Sequence, residues 1–543
     1  MRRYTNILMV ALVAMMATSC LGEDPRDQLY EDDIYNSANN IYINAVAVLY
    51  NYIGGSADSE GLQGTCRGVY DYNTLTTDEA MIPIRGGDWY DGGLWENMYQ
   101  HKWSPSDLPL YNIWKYLYKV VVLANKSLDI IDKYSCYLTE EQRVAYQAEV
   151  RAVRALFYYY IMDMYGRVPL VTSYNEKQNE LIQSERSKVF WFVVNELQEV
   201  AELLPNEHSN KMGNYYGRVT TPVAHFLLAK LALNAEIYCD DNWTDGVPQN
   251  GKEILFTVDG EQLNAWEACV KYCDKLTEAG YVLEGDYSYN FAVHNENSNE
   301  NIFTIPLDKN LYAAQFWYLF RSRHYNHGGA VGGSSENGTS ATISTVLAYG
   351  YGTDEVDARF EKNLYAGAVV VDGKNVMMDN GEPLEYKPLE LKLNLTGSPY
   401  VKTAGARMAK YEVDRTAHSD GRQPDNDIVL FRYADALLMK AEAKVRNGED
   451  GSLELNQVRN RVGMPYREAT LENILEERLL ELIWEGWRRQ DMVRFGLYHK
   501  SYDQRAQLPD EANGYTTVFP IPQKSIDLNS RLQQNVGYKS KTK

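Results

Sequence analysis

The sequence predicts a mostly α-helical protein: a tetratricopeptide-like bundle of paired helices with one large, irregular, loop-rich insertion that carries short strands. Long stretches in which apolar residues recur every three or four positions indicate the helices. Small residues at those spacings indicate that the helices pack in close pairs, although no strict repeat is visible. Residues 281–424 indicate the insertion, because they are rich in Asn, Gly and Tyr and lack the helical spacing.

Six helical stretches precede the insertion. Thr139 is a typical capping residue before the third of them, and Gly166 is typical of the position just after a helix. A glycine-rich irregular block, residues 61–107, separates the first stretch from the second. The predicted helices are 35–52, 108–133, 139–165, 187–204, 220–239 and 263–278.

Three helical stretches follow the insertion, and the last of them combines apolar and charged residues. Residues 475–496 are predicted to form one helix that is apolar on two sides, so its charged side chains must be partly buried and paired. Gly486 indicates close approach of another backbone, and Gly496 is the expected end. The charges stack at helical spacing: Glu477, Glu481 and Glu485, with Arg478, Arg488 and Arg489 within one turn. The other two stretches are 428–447 and 455–461.

The first twenty residues have the layout of a secretory signal peptide. A short basic segment precedes an apolar run, 7–17, which is too short to cross ~30 Å of hydrocarbon as a helix. The run ends in small residues directly before Cys20, as in a bacterial lipobox, although Ala17 stands where leucine is preferred. We therefore expect a signal peptide at 1–19 and a tether at 20–34 that is lipidated on Cys20.

Composition limits the kinds of partner. The chain of 543 residues carries 54 basic and 74 acidic residues, for a formal net charge of −20. Such a surface repels phosphate backbones, so nucleic acid is not an expected partner. The 43 tyrosines far outnumber the 13 phenylalanines, and tyrosine suits half-wet surfaces such as binding grooves.

Catalytic and cofactor motifs are absent from the sequence. There is no H-E-x-x-H, G-x-S-x-G, phosphate loop or G-x-G-x-x-G between strand and helix. The adjacent carboxylates Asp78 and Glu79 could suggest a glycosidase pair, but neighbours in a loop rarely give the opposed geometry required. We therefore expect no enzyme activity and no cofactor.

Possible metal ligands are better explained structurally. Cys269 and Cys273 are four apart but have no further ligand nearby, and His324 and His327 lie three apart in an aromatic loop. Residues 240–246 offer oxygens for calcium but lack the spacing of an EF-hand. We expect no metal, and we expect buried free thiols at Cys66, Cys136, Cys239, Cys269 and Cys273.

Several motifs resemble one protein family. Residues 477–494 resemble the E-R-x-x-E-L-x-x-E-G-x-R-x-x-D-L-x-R signature of SusD/RagB-like outer-membrane nutrient-binding lipoproteins, with Met492 in place of leucine. Residues 149–170, 432–443 and 519–538 resemble other segments of the family. These segments depart from the family pattern at Arg167, Asp435 and Val536.

The resemblance implies a surface-exposed outer-membrane lipoprotein, anchored at Cys20, that captures oligo- or polysaccharide without cleaving it. It also implies delivery of the glycan to a SusC-like TonB-dependent transporter. Three alternatives stay open: a peptide-binding RagB-type receptor, a surface glycoside hydrolase and a pure interaction scaffold. The predicted regions are an N-terminal SusD-like helical region (35–280), the ligand-binding insertion (281–424) and a C-terminal SusD/RagB helical region (425–543).

Candidate ligand-binding residues come from both irregular blocks. Sugars stack their C–H faces on aromatic rings and hydrogen-bond planar polar groups through their hydroxyls, and the family's glycan-binding aromatics come from about these two regions. The candidates are Arg85, Asp88, Trp89 and Tyr90 in the first block, and Trp317, Tyr318 and Arg321 in the second. Seven other tryptophans lie on or near helical stretches, so we expect structural roles for Trp95, Trp103, Trp114, Trp191, Trp266, Trp484 and Trp487.

Overall fold

The computed structural model describes residues 31–311, 321–417 and 424–539 as a mostly helical body with small, scattered sheets. Two helices of 26 residues each, Leu108–Lys133 and Glu140–Tyr165, are joined by six residues and therefore run antiparallel. Thr139 caps the second helix through a reciprocal pair of hydrogen bonds with Gln142. Both helices have the predicted bounds to within one residue.

Shorter helices pack against this pair. Thr221–Leu233 is buried along its whole length and contacts Arg186–Ala201, Ala265–Glu278 and Tyr433–Asn447. The helix predicted over 220–239 is interrupted at Asn234, whose side-chain amide donates to the Lys230 carbonyl at 2.8 Å. The other helices before the insertion are Glu31–Ile34, Ala38–Ile41, Val48–Gly54, Val69–Thr74, Leu94–Tyr99 and Ala235–Tyr238, with a π-helical segment at Tyr42–Ala47.

Within the described residues the strands form seven two-stranded antiparallel sheets. The longest joins Asn301–Ile305 to Ile428–Arg432 and is buried throughout, so it closes the insertion at its two ends. The prediction of a helix from residue 428 is wrong for these five residues, since β-branched and aromatic side chains favour a strand there. The other sheets pair Ala80–Met81 with Ser340–Ala341, Val168–Pro169 with Gln183–Ser184, Leu255–Val258 with Glu261–Asn264, Leu364–Tyr365 with Arg407–Met408, Gly367–Ala368 with Glu385–Tyr386, and Val370–Val371 with Lys374–Asn375.

The insertion and the C-terminal region contribute further helices, most of them short. They are Tyr325–Ala330, Ile343–Ala348, Phe360–Asn363, Tyr433–Asn447, Ser452–Arg461, Leu471–Leu482, Arg488–Arg494 and Gln523–Leu528.

The prediction of one helix over 475–496 is wrong. The first helix ends at Leu482 and the second begins at Arg488, because Trp484 (φ 69°) and Gly486 (φ 76°) adopt left-handed backbone conformations. A break inside a well-patterned helix releases backbone groups that need other hydrogen-bond partners.

Side chains from distant segments supply those partners. The Trp484 N–H donates to the Glu79 carboxyl at 2.9 Å. The Lys410 ammonium donates to the carbonyls of Glu481 and Ile483 at 2.9 and 2.8 Å. Since all these groups are buried, the junction is stable only while its remote partners are in place.

The two glycines of the segment differ in their neighbours. An added Cβ at Gly486 would lie 3.2 Å from the Tyr70 ring, so its close neighbour is a side chain and not the backbone that the sequence suggested. Gly496 has a φ of 65° and follows the second helix, whose cap is Phe495, in agreement with its predicted role as a stop.

The three glutamates predicted to be buried and paired, Glu477, Glu481 and Glu485, are so, but their partners lie elsewhere in the chain. Glu481 accepts from Arg432 at 2.6 Å and from Arg359 at 2.9 Å, and it also contacts Arg461. Glu485 accepts from Arg432 at 2.8 Å. We call the whole cluster the central ion network: Glu300, Arg359, Lys410, Arg432, Arg461, Glu477, Glu481 and Glu485.

The arginines predicted to pair within one turn of these glutamates contact other carboxylates. Arg478 pairs with Asp435 at 2.8 Å and Asp491 at 2.9 Å. Arg488 and Arg489 reach carboxylates of the first half of the chain, Asp78 and Asp163 respectively. The segment thus joins the two ends of the protein through ion pairs.

Replacing Glu481 with glutamine is expected to lower the free energy of unfolding by about 3–5 kcal/mol, because buried guanidiniums lose their counter-charge. Glu476→Gln is the matched control, since Glu476 lies on the same helix and pairs with Arg467 while 42% of its side chain stays exposed. Its loss should cost at most about 1 kcal/mol. Urea unfolding followed by far-UV circular dichroism measures both variants, and equal costs would contradict a structural role for the network.

The difference in stability between wild type and Glu481→Gln should depend on pH. Burial alone would raise the pKa of Glu481, but the guanidiniums of Arg461, Arg432 and Arg359 hold it well below its usual range. A carboxyl with a lowered folded-state pKa contributes its full stabilisation above its unfolded pKa of about 4.3 and loses it as the pH falls below that value. The stability gap between wild type and Glu481→Gln should therefore be widest near neutral pH and narrow below about pH 4.3. A gap that stays constant down to pH 2.5 would refute the assignment.

Candidate functional site

A tight turn presents the first group of predicted site residues. Arg85 and Asp88 exchange backbone hydrogen bonds of 3.0 and 3.4 Å around Gly86 and Gly87. Trp89 follows with a φ of 64°, a left-handed conformation that is unfavourable for a bulky residue. Such a conformation persists only when surrounding contacts impose it.

The contacts that hold Trp89 come from both irregular blocks. Its Nε1 donates to the Glu336 carbonyl at 3.0 Å, and its ring meets Trp95 at a centroid distance of 6.0 Å and an angle of 63°. Gly338 packs against the indole so closely that a Cβ there would lie 2.6 Å from it. Trp89 is half-buried, whereas Tyr90 is 57% exposed. The loop therefore fixes the tryptophan and leaves the tyrosine in solvent.

Asp88 links this loop to two further segments of the insertion. Its carboxylate accepts from the Lys402 ammonium at 2.7 Å and from the Tyr325 hydroxyl at 2.8 Å. The hydrogen bonds from Lys402 and then Tyr325 lower the pKa of Asp88. The ammonium also lies 5.4 Å from the centroid of the Tyr325 ring, which is 40% exposed. We call the surface formed by Asp88, Trp89, Tyr90, Tyr325 and Lys402 the 88–90 face.

The two predicted arginines lie beneath this face. Arg85 is buried and donates to the carbonyls of Val401 and Ala404 at 3.1 and 3.0 Å. Arg321 is also buried and makes a bidentate pair with Asp71 at 2.9 and 2.6 Å. The sequence predicted that both arginines bind the ligand. Because protein atoms already accept from these buried guanidiniums, the arginines are instead placed to position the face.

Other predicted residues are not described by the structure. Trp317, Tyr318 and Cys20 lie outside the described residues, so their roles stay predictions. Sequence reasoning missed Tyr325 and Lys402. Tyr325 lies four positions after the predicted residue Arg321, whereas no pattern in the sequence marks Lys402.

The paired histidines have structural roles in the described residues. His324 accepts from the Asn326 backbone N–H at 3.1 Å and caps the Tyr325–Ala330 helix, and His327 bonds the Tyr386 hydroxyl at 3.0 Å. Burial, and then nearby arginines, lower the pKa of His324 to about 4 and that of His327 to about 3. Both side chains are therefore neutral at physiological pH.

Metal-ligand groupings are missing from the described part of the chain: no three His, Cys, Asp or Glu side chains cluster there as ligands. In residues 240–246 the carboxylates accept hydrogen bonds from protein groups: Asp245 from Asn242 at 2.9 Å, and Asp241 from the backbone N–H and hydroxyl of Ser187 at 2.8 and 2.7 Å. The five described cysteines are free, and three are buried. The prediction of buried thiols is wrong for Cys136, which is exposed, and only partly right for Cys239, which is half-buried.

Two family models match the chain. The one described as "SusD family" matches residues 299–538, and the one described as "Starch-binding associating with outer membrane" matches residues 35–233. Among curated proteins, the starch-binding protein SusD of Bacteroides thetaiotaomicron is 23% identical, over 98% of each chain. A SusD-like protein of Bacteroides ovatus is 23% identical over 94% of this chain and 84% of its own length.

Solved structures share the fold. A laminarin-binding SusD-like protein superposes with a TM-score of 0.70 at 20% identity, over 92% of this chain and all of its own. Surface glycan-binding protein A of Bacteroides thetaiotaomicron, in complex with laminarihexaose, superposes with a TM-score of 0.68 at 21% identity, over 92% of this chain and 99% of its own.

Gly338→Ala should displace the Trp89 indole, since the new methyl group would overlap it, and should lower the free energy of unfolding by about 1–3 kcal/mol. Gly87→Ala is the matched control, because a Cβ there meets no atom within 4 Å and the residue has no left-handed φ. Thermal unfolding of the two variants tests the packing. A Gly338→Ala protein as stable as Gly87→Ala would show that the indole is not held there.

Proposed function

Because the two matching models together span residues 35–233 and 299–538, the chain belongs to the SusD/RagB-like family, and we propose that it captures oligo- or polysaccharide at the cell surface. It hands the glycan to a SusC-like TonB-dependent transporter and does not cleave it. The observation that carries the proposal is the 88–90 face, where exposed tyrosine rings flank a polar pair beside a fixed tryptophan.

The 88–90 face has the chemistry that sugar recognition needs. Tyr90 and Tyr325 offer ring surface for the C–H faces of pyranose rings, and Asp88 and Lys402 offer an acceptor and a donor for hydroxyls. Each ring face covered contributes on the order of 1–2 kcal/mol by area. A few such contacts give a modest affinity, which suits a protein that must release its ligand to a transporter.

The relatives support the same class of ligand. Their names state binding of starch and of laminarin, and one structure contains laminarihexaose. Laminarihexaose and starch are both glucose polymers, so the family fold is compatible with glycans of different linkage. Linkage would then be read by the loops around the face and not by the helical frame.

Anchoring through lipid on Cys20 completes the proposal. The described helices include none with both the length and the apolar character needed to cross a bilayer. The family model described as associating with the outer membrane supports that location. Lipid on Cys20 would hold the protein there through the tether at 20–34.

The contacts of the adjacent carboxyls Asp78 and Glu79 support a protein that does not cleave its ligand. Both oxygens of Asp78 are held by the Arg488 guanidinium at 2.7 Å. Glu79 is buried and accepts from the Trp484 N–H, and burial raises its pKa to about 8. The two side chains therefore secure the helix junction.

Trp89→Ala and Tyr90→Ala are each expected to weaken glycan binding about tenfold, because each removes aromatic area from the 88–90 face. Tyr466→Ala is the matched control, since Tyr466 is 71% exposed and follows the Ser452–Arg461 helix, away from the loops of the face. Affinity electrophoresis in gels that contain polysaccharide, followed by calorimetry, gives the dissociation constants.

The outcomes separate the alternatives. Tight binding of peptides with no binding of glycans would favour a peptide receptor, and release of reducing ends from a bound polysaccharide would favour a glycoside hydrolase. If glycans bind but Trp89→Ala and Tyr90→Ala bind as well as Tyr466→Ala, the 88–90 face is not the site. Binding of no ligand at all would leave an interaction scaffold.

A further inference from the structure

Buried arginines are paired with carboxylates almost everywhere in the described residues. Such pairing is expected, because an uncompensated buried charge is strongly destabilising. The paired residues are Arg154, Arg321, Arg359, Arg432, Arg459, Arg478, Arg488, Arg489, Arg494 and Arg505.

Three of the exceptions lie together beneath the 88–90 face: Arg85, Arg323 and Arg407. None of them has a carboxylate oxygen within 4 Å among the described residues. A fourth, Arg186, lies in the helical frame against Tyr238 and Trp243. We call the first three the cationic layer.

Two members of the cationic layer are in direct proximity. Arg85 donates to the Ser340 hydroxyl at 2.8 Å, and Arg407 contacts the same oxygen. The Nη2 atom of Arg407 donates to neutral oxygens, the Asn337 side chain at 2.9 Å and the Lys402 carbonyl at 3.3 Å, and its Nε has no hydrogen-bond partner in the described residues. Two like charges thus share one neutral acceptor, an arrangement that costs stability unless something outside compensates it.

In the described residues, two of the three guanidinium nitrogens of the third member have no hydrogen-bond partner. Arg323 is only 4% exposed, and its Nε and Nη2 atoms are buried without a hydrogen-bond partner. Its guanidinium lies 5.9 Å from the centroid of the Tyr365 ring. A buried guanidinium whose donors lack partners lowers the stability of the fold and is unusual. Destabilising features of this kind are found mainly at functional sites.

Burial acts on the pKa values of two members of the cationic layer, Arg407 and Arg85. Burial lowers the pKa of Arg407 to about 10, so it stays charged. Burial, and then Arg407, lower the pKa of Arg85. The adjacent His324 and His327 are neutral and add no further positive charge.

One backbone segment connects the cationic layer to the surface. The carbonyls of Val401 and Ala404 accept from Arg85, and the Lys402 carbonyl accepts from Arg407. The Lys402 side chain from the same segment reaches the surface at Asp88, whose charge it neutralises. The described ionic groups around the face include four cations, Arg85, Arg323, Arg407 and Lys402, and the carboxylates of Asp88, Glu336 and Asp379, beside the separate Arg67–Asp91 ion pair.

We propose that the 88–90 face takes an anionic glycan, one whose sugar rings carry carboxylate or sulfate groups, and that the cationic layer beneath supplies the field that favours it. The inference rests on the proposed function and narrows its substrate class. The ligand would complete the charge balance that the folded protein leaves open, while the layer itself stays buried. Such a bias is electrostatic, so salt should weaken it.

The test uses the purified full chain and matched pairs of polysaccharides. Each uronic-acid polymer is compared with its carboxyl-reduced form and each sulfated polymer with its desulfated form, alongside neutral glucans. We expect binding to at least one acidic member, with a loss of about tenfold or more in its neutral derivative and weaker binding at 0.5 M salt than at 0.05 M. The pair that shows the loss distinguishes carboxylate from sulfate.

Two methionine variants test the cationic layer itself. Arg323→Met should weaken binding of the acidic glycan about three- to tenfold and leave binding of the neutral derivative unchanged. Its unfolding midpoint should be equal to or higher than that of wild type, because an uncompensated charge is removed. Arg186→Met is the control. Its unfolding midpoint should also be equal to or higher than that of wild type, and its binding of both glycans should be unchanged. Should Arg323→Met fail to fold, Lys402→Gln at the surface tests the same selectivity.

Each result bears on a defined claim. Binding of neutral glycans only, or of acidic and neutral partners equally, overturns the inference and leaves the proposed function standing. An Arg323→Met protein that binds the acidic glycan as wild type does also overturns it. Binding of peptides and of no glycan overturns both.

Discussion

The central ion network is the interaction on which the rest of the structure depends. Glu481 and Glu485 are buried carboxylates whose partners lie elsewhere in the chain: Arg359 and Lys410 in the insertion, Arg432 on its closing strand, and Arg461 in the Ser452–Arg461 helix. Removing any one partner leaves a charge in a low-dielectric interior. The insertion and the helical frame are therefore one cooperative unit, although the sequence presents them as separate regions.

That coupling explains how irregular segments can present a defined surface. The 88–90 face combines a turn of the first irregular block with two segments of the second, and Asp88 joins them through hydrogen bonds of 2.7 Å from Lys402 and 2.8 Å from Tyr325. Trp89 keeps a left-handed backbone only because Gly338, Glu336 and Trp95 enclose its ring. Binding a ligand at such a face costs little conformational entropy, since Asp88, Trp89, Tyr325 and Lys402 are already held in position.

The features that could be predicted from the sequence are those that depend on local patterns of residues. The long helices, the Thr139 cap and the burial of the glutamates followed from periodicity and side-chain chemistry. The break at Trp484 could not be predicted, because the groups that stabilise it lie far away in sequence. For the same reason the sequence did not tell whether Arg85 and Arg321 face a ligand or the interior. Lys402 was missed because its role depends only on where the fold places it.

The order in which the chain can fold follows from its most distant contacts. Gln63 donates to the Glu485 carbonyl across 422 positions, Arg488 holds Asp78 across 410, and Trp103 bonds the Tyr538 hydroxyl across 435. Contacts of such high sequence separation form late and slowly, since long loops must close before they stabilise anything. A chain that emerges N-terminus first therefore holds its first hundred residues incompletely packed until the last sixty arrive. Premature termination or stalled export near the end would expose apolar surface from the beginning of the chain.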